Sequence, residues 1–354
     1  MFLSAKNKGY FIDQGEQTTY LARVTSLTAP LVIEAIIEIP SGDTHAFSEA
    51  VSSLTPKKTS GYLFAHCSCN PVSKFVRKAT LDLKRVKEAE YFPEILNTQF
   101  KIEHESHAVA VLNSADGLLC DFNKPGHGKD VVFCGLSNAD LLRYQEQLLE
   151  NNLFPNRIEL SSLSALGAVI NYLKFTQSTK PVLVLELGAD QTQSYIVSSR
   201  GLESSRPIAV GLDAMVPVVQ KELGLKDEDS ARKLFLSNTF DFTGLGPALC
   251  KRLLKELQSS MGFYEVQTGQ SIGHVVCSVL PSKLHWLENV IAAQIGVNVM
   301  TFDYAGWLAA RQITLSDSNG INGLDARKLA LIGLGLTGEF STPETNPTTK
   351  AGSS

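Results

Sequence analysis

Phe11-Ile12-Asp13-Gln14-Gly15-Glu16-Gln17-Thr18-Thr19, near the start of the chain, aligns without a gap on Val184-Leu185-Glu186-Leu187-Gly188-Ala189-Asp190-Gln191-Thr192 at mid-length. In both copies an apolar strand closes on an acid (Asp13, Glu186), a glycine follows (Gly15, Gly188), and a threonine comes later (Thr19, Thr192). A second apolar run follows each, Tyr20 to Val24 and Tyr195 to Val197, so each copy reads as a β-hairpin. Such a turn suits a phosphate. Glycine takes φ > 0 without strain and lets the backbone approach closely, so successive N–H groups can point at one anion. The threonine adds a hydroxyl donor, and the carboxylate can hold a hydrated Mg²⁺ through its waters. One acid-x-Gly-x-x-x-Thr stretch arises by chance in α/β turns; two gapless copies, each flanked by strands, predict duplicated half-domains facing each other across a nucleotide cleft.

The 354 residues exceed one ordinary core and predict two or more domains. An apolar fraction of 44% against 19% charged residues is that of a globular protein. Net charge of −4 and a pI near 6.0 give no reason to expect nucleic acid, which calls for a basic patch. The nearest thing to one, Lys74-Phe75-Val76-Arg77-Lys78 through Lys84-Arg85, reads as a solvated face. Met1 to Asn7 carries no apolar h-region, and no window approaches the roughly 20 apolar residues of a membrane span. The expectation is a cytoplasmic protein without direct membrane insertion, brought to the inner face of the membrane by a partner. Six scattered cysteines read as free buried thiols. Cys67-Ser68-Cys69 has no second cysteine pair nearby, and His104 and His107 lie in a strand-like stretch, not on a helix, so neither pair reads as a metal site.

Leu31 to Ile39 reads as a third strand, Thr44 to Leu54 as a helix and Tyr62 to His66 as a strand. The pattern then changes. Lys84 to Leu96 reads as a helix, His107 to Leu112 and Asp116 to Asp121 as paired strands, Lys124 to Lys129 as an exposed loop and Val131 to Gly135 as a strand; Ser137 then caps a helix running to about Asn151. These elements predict a self-contained α+β unit inserted in the first half. The expected division is 1–74 with 157–178 as the first half, 75–156 as the insertion, 179–340 as the second half with helices between about 213 and 270, and 341–354 as a disordered tail of Ser, Thr, Pro and Gly. In the second half, helices are read at Asp213 to Leu223, Lys226 to Ser237, Pro247 to Gly262 and Lys283 to Ile295, with strands at His274 to Cys277 and Val297 to Phe302. A closing helix from Asp325 carries Ala330, Gly333 and Gly335, small residues that allow a neighbouring element to approach closely.

The doubled hairpin, the insertion and the closing Ala330-Leu331-Ile332-Gly333-Leu334-Gly335-Leu336-Thr337-Gly338 together resemble the actin-like ATPase superfamily. Within it the chain is most similar to the PilM-like proteins of type IV pilus assembly and to their FtsA relatives of cell division. Asp130 to Gly135, Leu148 to Glu159, Arg206-Pro207-Ile208-Ala209-Val210-Gly211 and Asp229-Ser230-Ala231 carry that resemblance, which runs from about residue 9 to 340. It implies an α/β, actin-like fold built on duplicated ribonuclease-H-like halves. It also implies ATP with Mg²⁺ as ligands: Gly15, Thr18, Thr19, Gly188, Gln191 and Thr192 at the phosphates, Asp13 and Glu186 at the hydrated metal, and Ser278 near the adenosine. In the superfamily a second-half strand ends in a Gly-Gly pair against the adenosine. Here it reads His274-Val275-Val276-Cys277-Ser278-Val279-Leu280-Pro281-Ser282, so side chains crowd that place and the nucleotide site is expected to be degenerate. By alignment Phe235 stands where the family has a lysine, with Lys233 close by, and Gly211-Leu212 replaces a second glycine pair.

The function the resemblance implies is a scaffold of a type IV pilus or type II secretion-like machine. Such a scaffold docks the PilN-like cytosolic peptide of a bitopic inner-membrane partner in a groove between about residues 75 and 156. One alternative is an ATP-dependent kinase or ATPase on the same fold, for which Asp13, Glu186 and Asp190 offer carboxylates though no catalytic residue is assigned. Another is an FtsA-like tether that self-associates into polymers. The tail Ser341 to Ser354 has one lysine and no apolar face, unlike the basic amphipathic helix such a tether needs.

Overall fold

The computed structural model describes residues 9–56, 61–123, 128–237, 239–316 and 318–336. The first hairpin forms as the sequence predicts. β1 (Gly9–Gln14) pairs antiparallel with β2 (Thr18–Val24) and parallel with β4 (Leu63–Cys69), and β2 pairs with β3 (Leu31–Pro40). The full sheet runs β14-β3-β2-β1-β4-β8, with β8 (Leu153–Leu160) and β14 (Ile313–Leu315) on its edges. The second hairpin repeats the plan. β9 (Val182–Leu187) pairs antiparallel with β10 (Thr192–Ser198) and parallel with β12 (His274–Val279), in the order β11-β10-β9-β12-β13, with β11 (Gly201–Ile208) and β13 (Asn298–Val299) outermost. The central strands β1 and β9 are buried almost throughout, which is why each reads as a continuous apolar run instead of an alternating one.

A third sheet, β5 (Phe75–Thr80), β7 (Asp130–Ser137) and β6 (His107–Asn113), has its own small core of Phe75, Tyr91, Ile95, Val131 and Phe133. Helix α1 (Thr44–Leu54) packs beside β3. Helix α2 (Asn138–Glu150) follows the third sheet with Ser137 as its cap, the hydroxyl accepting from the Asp140 N–H. Helix α3 (Ser161–Phe175) leaves β8, and one continuous core joins its Leu166 and Val169 to Phe11 and Ile12 of the first sheet and to Val184 and Tyr195 of the second. Helices α4 (Val216–Leu223), α5 (Glu228–Phe235), α6 (Gly246–Thr268) and α7 (Trp286–Ile295) build a separate core on the second sheet, and α8 (Tyr304–Ala310) precedes β14.

Some expectations are corrected. The stretch expected as a helix from Lys84 to Leu96 is mostly turn, and helix begins at Tyr91: Pro93 has no N–H and is tolerated only in a first turn. Asp116 to Asp121 does not form a strand. Gly117 takes φ +71 and the Asp116 carboxylate accepts the Leu118 N–H, so the chain turns, and only Leu119 bridges to Leu112. The strand expected over Val297 to Phe302 shrinks to β13. The basic run from Lys74 is not a solvated face; β5 lies against the second half. Arg77 donates to Gln193 Oε1 at 3.3 Å, Lys78 Nζ to the Glu203 carbonyl at 3.0 Å, and the Ser205 hydroxyl to the Val76 carbonyl. The loop expected at Lys124 to Lys129 lies partly, and the tail wholly, outside the described residues.

The closing helix α9 (Leu329–Leu336) is buried on every side, and its glycines are the reason it fits. A Cβ on Gly333 would collide with the Ser164 carbonyl of α3, whereas one on Gly335 would meet the side chains of Phe11 at 3.1 Å and Ile313 at 3.5 Å. Gly333→Ala is therefore expected to cost about 2–3 kcal/mol by overpacking against backbone. Gly335→Ala, whose neighbour can give and whose helix propensity improves, should cost under about 1 kcal/mol. Equal denaturant midpoints for the two variants would contradict this packing.

Candidate functional site

The two hairpin turns are built alike. The Gly15 N–H donates to the Thr18 carbonyl at 3.0 Å, and the Gly188 N–H to the Gln191 carbonyl at 3.0 Å. Both glycines hold negative φ, so glycine is needed here for room and not for a left-handed backbone: an added Cβ would stand 2.7 Å from Thr18 O in one turn and 3.1 Å from Gln191 O in the other. The turns face each other. Glu16, at the tip of the first, comes within 3.4 Å of where a Cβ on Gly188 would stand. Between them lies a cleft of about 330 Å³ lined from the first half by Asp13, Gly15 and Thr18 and from the second by Glu186, Ser278 and Leu280. A lobe of about 120 Å³, reached past Glu16, Asn70 and Glu186, adds Lys74, Gly188, Asp190 and Gln191.

Register puts one carboxylate at the end of each central strand. Asp13 sits opposite Tyr20 and Ser68, and Glu186 opposite Gln193 and Val279. Both are buried and both meet the start of α3. Asp13 Oδ1 accepts from the Ser161 hydroxyl at 2.6 Å and the Ser68 hydroxyl at 2.8 Å. Glu186 Oε2 accepts from Lys74 Nζ at 2.6 Å and the Ser162 hydroxyl at 3.0 Å. Burial pushes the Asp13 carboxyl up from 3.8 to about 6, against the pull of the two serine hydroxyls and of Lys74.

Of the residues read from sequence, Asp13, Gly15, Thr18, Glu186 and Ser278 line the cleft, and Gly188 and Gln191 line its lobe. Thr19 and Thr192 do not. Strand alternation turns them inward, where Thr19 Oγ1 lies 3.2 Å from Ser41 Oγ and the fully buried Thr192 hydroxyl donates to the Val210 carbonyl at 2.7 Å. Ser278 owes its position to a bulge. The β12–β9 register shifts between Cys277 and Val279, and the buried Glu288 carboxylate accepts the Cys277 N–H at 2.6 Å. Phe235, at the family's lysine position, is buried against Phe242 and Trp286, and Lys233 is exposed. Leu236, Leu280 and Pro281 make that side of the cleft apolar.

Four residues of the site were missed in the sequence: Lys74, Asn70, Ser161 and Ser162. The Ser161-Ser162 pair directly after a strand is a local signal of a helix start facing the strand ends; Lys74 and Asn70 reach the cleft through long-range folding and carry no such signal. The Ser278 hydroxyl and Asn70 Oδ1 are buried in the cleft wall with no hydrogen-bond partner among the described residues, so the lining fits a polar ligand. It does not fit a metal ion at Glu186, because the Lys74 ammonium already neutralises that carboxylate. Cys67 and Cys69 are buried in β4, with burial raising the Cys69 thiol to about 12.

No family model matches the sequence, and neither does any curated protein. Solved structures do match in shape. A structure described as a PilM–PilN type IV pilus biogenesis complex superposes with a TM-score of 0.67 at 13% identity, over 96% of this chain and 100% of that one. The chain has a PilM-like, actin-like fold. A Bacteroides thetaiotaomicron protein of actin-like ATPase fold and unknown function matches with a TM-score of 0.42 at 9% identity, over 84% of this chain and 93% of that one. The cytoplasmic domain of EpsL, from the type II secretion system of Vibrio cholerae, matches with a TM-score of 0.37 at 11% identity, over 60% and 74%. Among the described residues of this PilM-like fold, no helix is long and apolar enough to cross a membrane.

The Asp13 shift has a testable sign. A carboxyl raised from 3.8 to about 6 in the folded chain binds its proton more tightly there than when unfolded, so its charging opposes the fold as pH rises through 6. Asp13→Asn keeps an acceptor for Ser68 and Ser161 without the charge. It should match the wild type below pH 4 and exceed its stability at pH 7–8 by up to about 3 kcal/mol. Melting temperature measured against pH checks this, and a variant less stable than wild type at pH 8 would refute it.

Proposed function

We propose that the chain is an actin-like scaffold of a type IV pilus or type II secretion-like machine, and that it docks an extended apolar peptide from the cytosolic end of a bitopic membrane partner. The observation that carries this reading is a groove of about 580 Å³ between the third sheet and α3. Its walls are Ala108, Ala110 and Leu112 of β6, Ile158 of β8, and Leu163 and Ile170 of α3, and the exposed Leu118 and Leu119 form its lip. β6 is an edge strand. Its Val111 carbonyl and Asn113 N–H are closed by Cys120 and Leu118, while the half nearer His107 has no strand partner on that side among the described residues. An apolar trough beside an unpaired strand edge takes an extended peptide by backbone hydrogen bonds plus side-chain pockets. The fold shared with a protein solved in a PilM–PilN complex supports the same partner class, a PilN-like peptide. The cleft between the hairpins is then the place for a nucleotide, with Gly15, Thr18, Gly188 and Gln191 toward its phosphates and Ser278 and Asn70 as polar contacts.

Position 167 tests the groove cleanly. Gly167 lies one turn from Leu163 on the groove face of α3, and an added Cβ meets nothing within 4 Å. Gly167→Leu should fill the trough while leaving the fold at least as stable, since replacing a helical glycine gains roughly 0.5–1 kcal/mol. Calorimetric titration with the partner's cytosolic peptide should show one-to-one binding by the wild type and at least a tenfold loss in the variant. Absence of binding by the wild type would refute the scaffold reading.

A further inference from the structure

Lys74 is not a surface lysine that happens to find an acid. Its Nζ lies 2.6 Å from Glu186 Oε2 and 2.8 Å from Ser162 Oγ, with the lysine side chain 11% and the glutamate 5% exposed. The turn that delivers it is pinned: the Lys74 N–H donates to the Pro71 carbonyl at 3.1 Å, and the preceding Ser73 hydroxyl accepts the Ser137 N–H at 3.0 Å and donates to Asp140. Its positive charge also acts on Asp13, the other carboxylate of the pair, and the side chain lines the lobe beside Gly188 and Gln191. A compact ammonium is thus paired with the second half's carboxylate, within electrostatic reach of the first half's and beside the second hairpin turn, where a hydrated divalent cation was expected from the sequence.

We propose that Lys74 is a built-in cation that takes the place of a divalent metal in this cleft, so that the site accepts a phosphate-bearing ligand without Mg²⁺. A divalent ion brought to Glu186 would meet a buried like charge and find its carboxylate already neutralised. The ammonium keeps one N–H beyond those given to Glu186 and Ser162, and an anion entering the lobe is the group that can use it. The phosphate part of this proposal rests on the nucleotide reading of the cleft; the exclusion of metal does not.

The test uses the full chain with Mn²⁺ alone, followed by electron paramagnetic resonance. The wild type should show no stoichiometric site, Lys74→Met should gain one, at least tenfold tighter than any wild-type binding, and the double variant Lys74→Met with Glu186→Gln should lose it again. Lys74→Gln, which keeps a hydrogen bond to Glu186 without the charge, serves if the methionine variant does not fold. One Mn²⁺ bound by the wild type and abolished by Glu186→Gln overturns the proposal, whichever variants fold. In the second arm, ATP is titrated with EDTA or with Mg²⁺. Wild-type affinities within about twofold of each other support the proposal, and a tenfold loss in EDTA overturns it. No ATP binding in either condition would refute the nucleotide reading and leave the Mn²⁺ result to decide the role of Lys74.

Discussion

Two buried carboxylates, one closing the central strand of each sheet, meet the first turn of a single helix, and this junction organises the molecule. A carboxylate taken out of water is tolerable only when hydrogen-bonded or paired. Asp13 is held by Ser161 and Ser68, and Glu186 by Ser162 and Lys74. Because consecutive serines of α3 reach acids from opposite halves, the helix start cannot shift without unpairing one of them. The rest of α3 is then fixed in rotation. Leu163, Gly167 and Ile170, spaced i, i+4, i+7, face the apolar groove, while the Ser164 carbonyl presses against Gly333 of α9. One helix thus ends in the cleft, walls the groove and anchors the closing helix.

The third sheet completes the arrangement by bridging the halves. The turn entering β5 brings Lys74 to the lobe of the cleft, and Arg77, Val76 and Lys78 of β5 bond to β10 and β11 of the second half; just beyond β6, the Ser114 carbonyl accepts the Leu202 N–H at 2.9 Å. The far edge strand, β6, is a wall of the groove. Any change in the angle between the halves must therefore either break these bonds or carry the third sheet along, altering the groove. Cleft and groove thus share structural parts: α3 borders both, and the third sheet walls the groove while the turn entering it lines the lobe of the cleft.

The parts of this architecture that rest on neighbouring residues could be read from the sequence. The hairpins, helix α1 to the residue, the Ser137 cap and the small-residue closing helix all follow from local periodicity and turn chemistry, and the actin-like fold was implied by the resemblance that the doubled hairpin, the insertion and the closing helix carry together. The site was read only in part, because its decisive features are non-local. A bulge that inserts Ser278 into the cleft wall depends on Glu288 from the next helix, and the inward turn of Thr19 and Thr192 depends on which strand face meets the core. The basic run beginning at Lys74 looked solvated because its partners, Glu186, Gln193 and the Glu203 carbonyl, are more than a hundred residues away. Of the two reasons read from the sequence for Gly15 and Gly188, room for close approach and positive φ, the turns use the first: crowding leaves no space for a Cβ, and φ is not positive.

Unfavourable polar terms mark the cleft wall, although others, such as Tyr264 Oη and Tyr304 Oη, lie elsewhere among the described residues. Asp13 holds a charge near neutral pH that its burial opposes, and the Ser278 hydroxyl and Asn70 Oδ1 are withdrawn from water without a partner. Each could be relieved by an apolar side chain of similar size at no cost to the hydrophobic core. All three line the same 330 Å³, with the first hairpin turn and the start of α3, while Lys74 and the second hairpin turn line the adjoining lobe. Unpaired polar atoms and a buried charge along one cavity wall are features that ligand sites share, and they support the proposed reading of the cleft. An occupant that donates a hydrogen bond to Asn70 Oδ1, bonds the Ser278 hydroxyl and offers an anionic oxygen to the remaining proton of Lys74 would satisfy all three together.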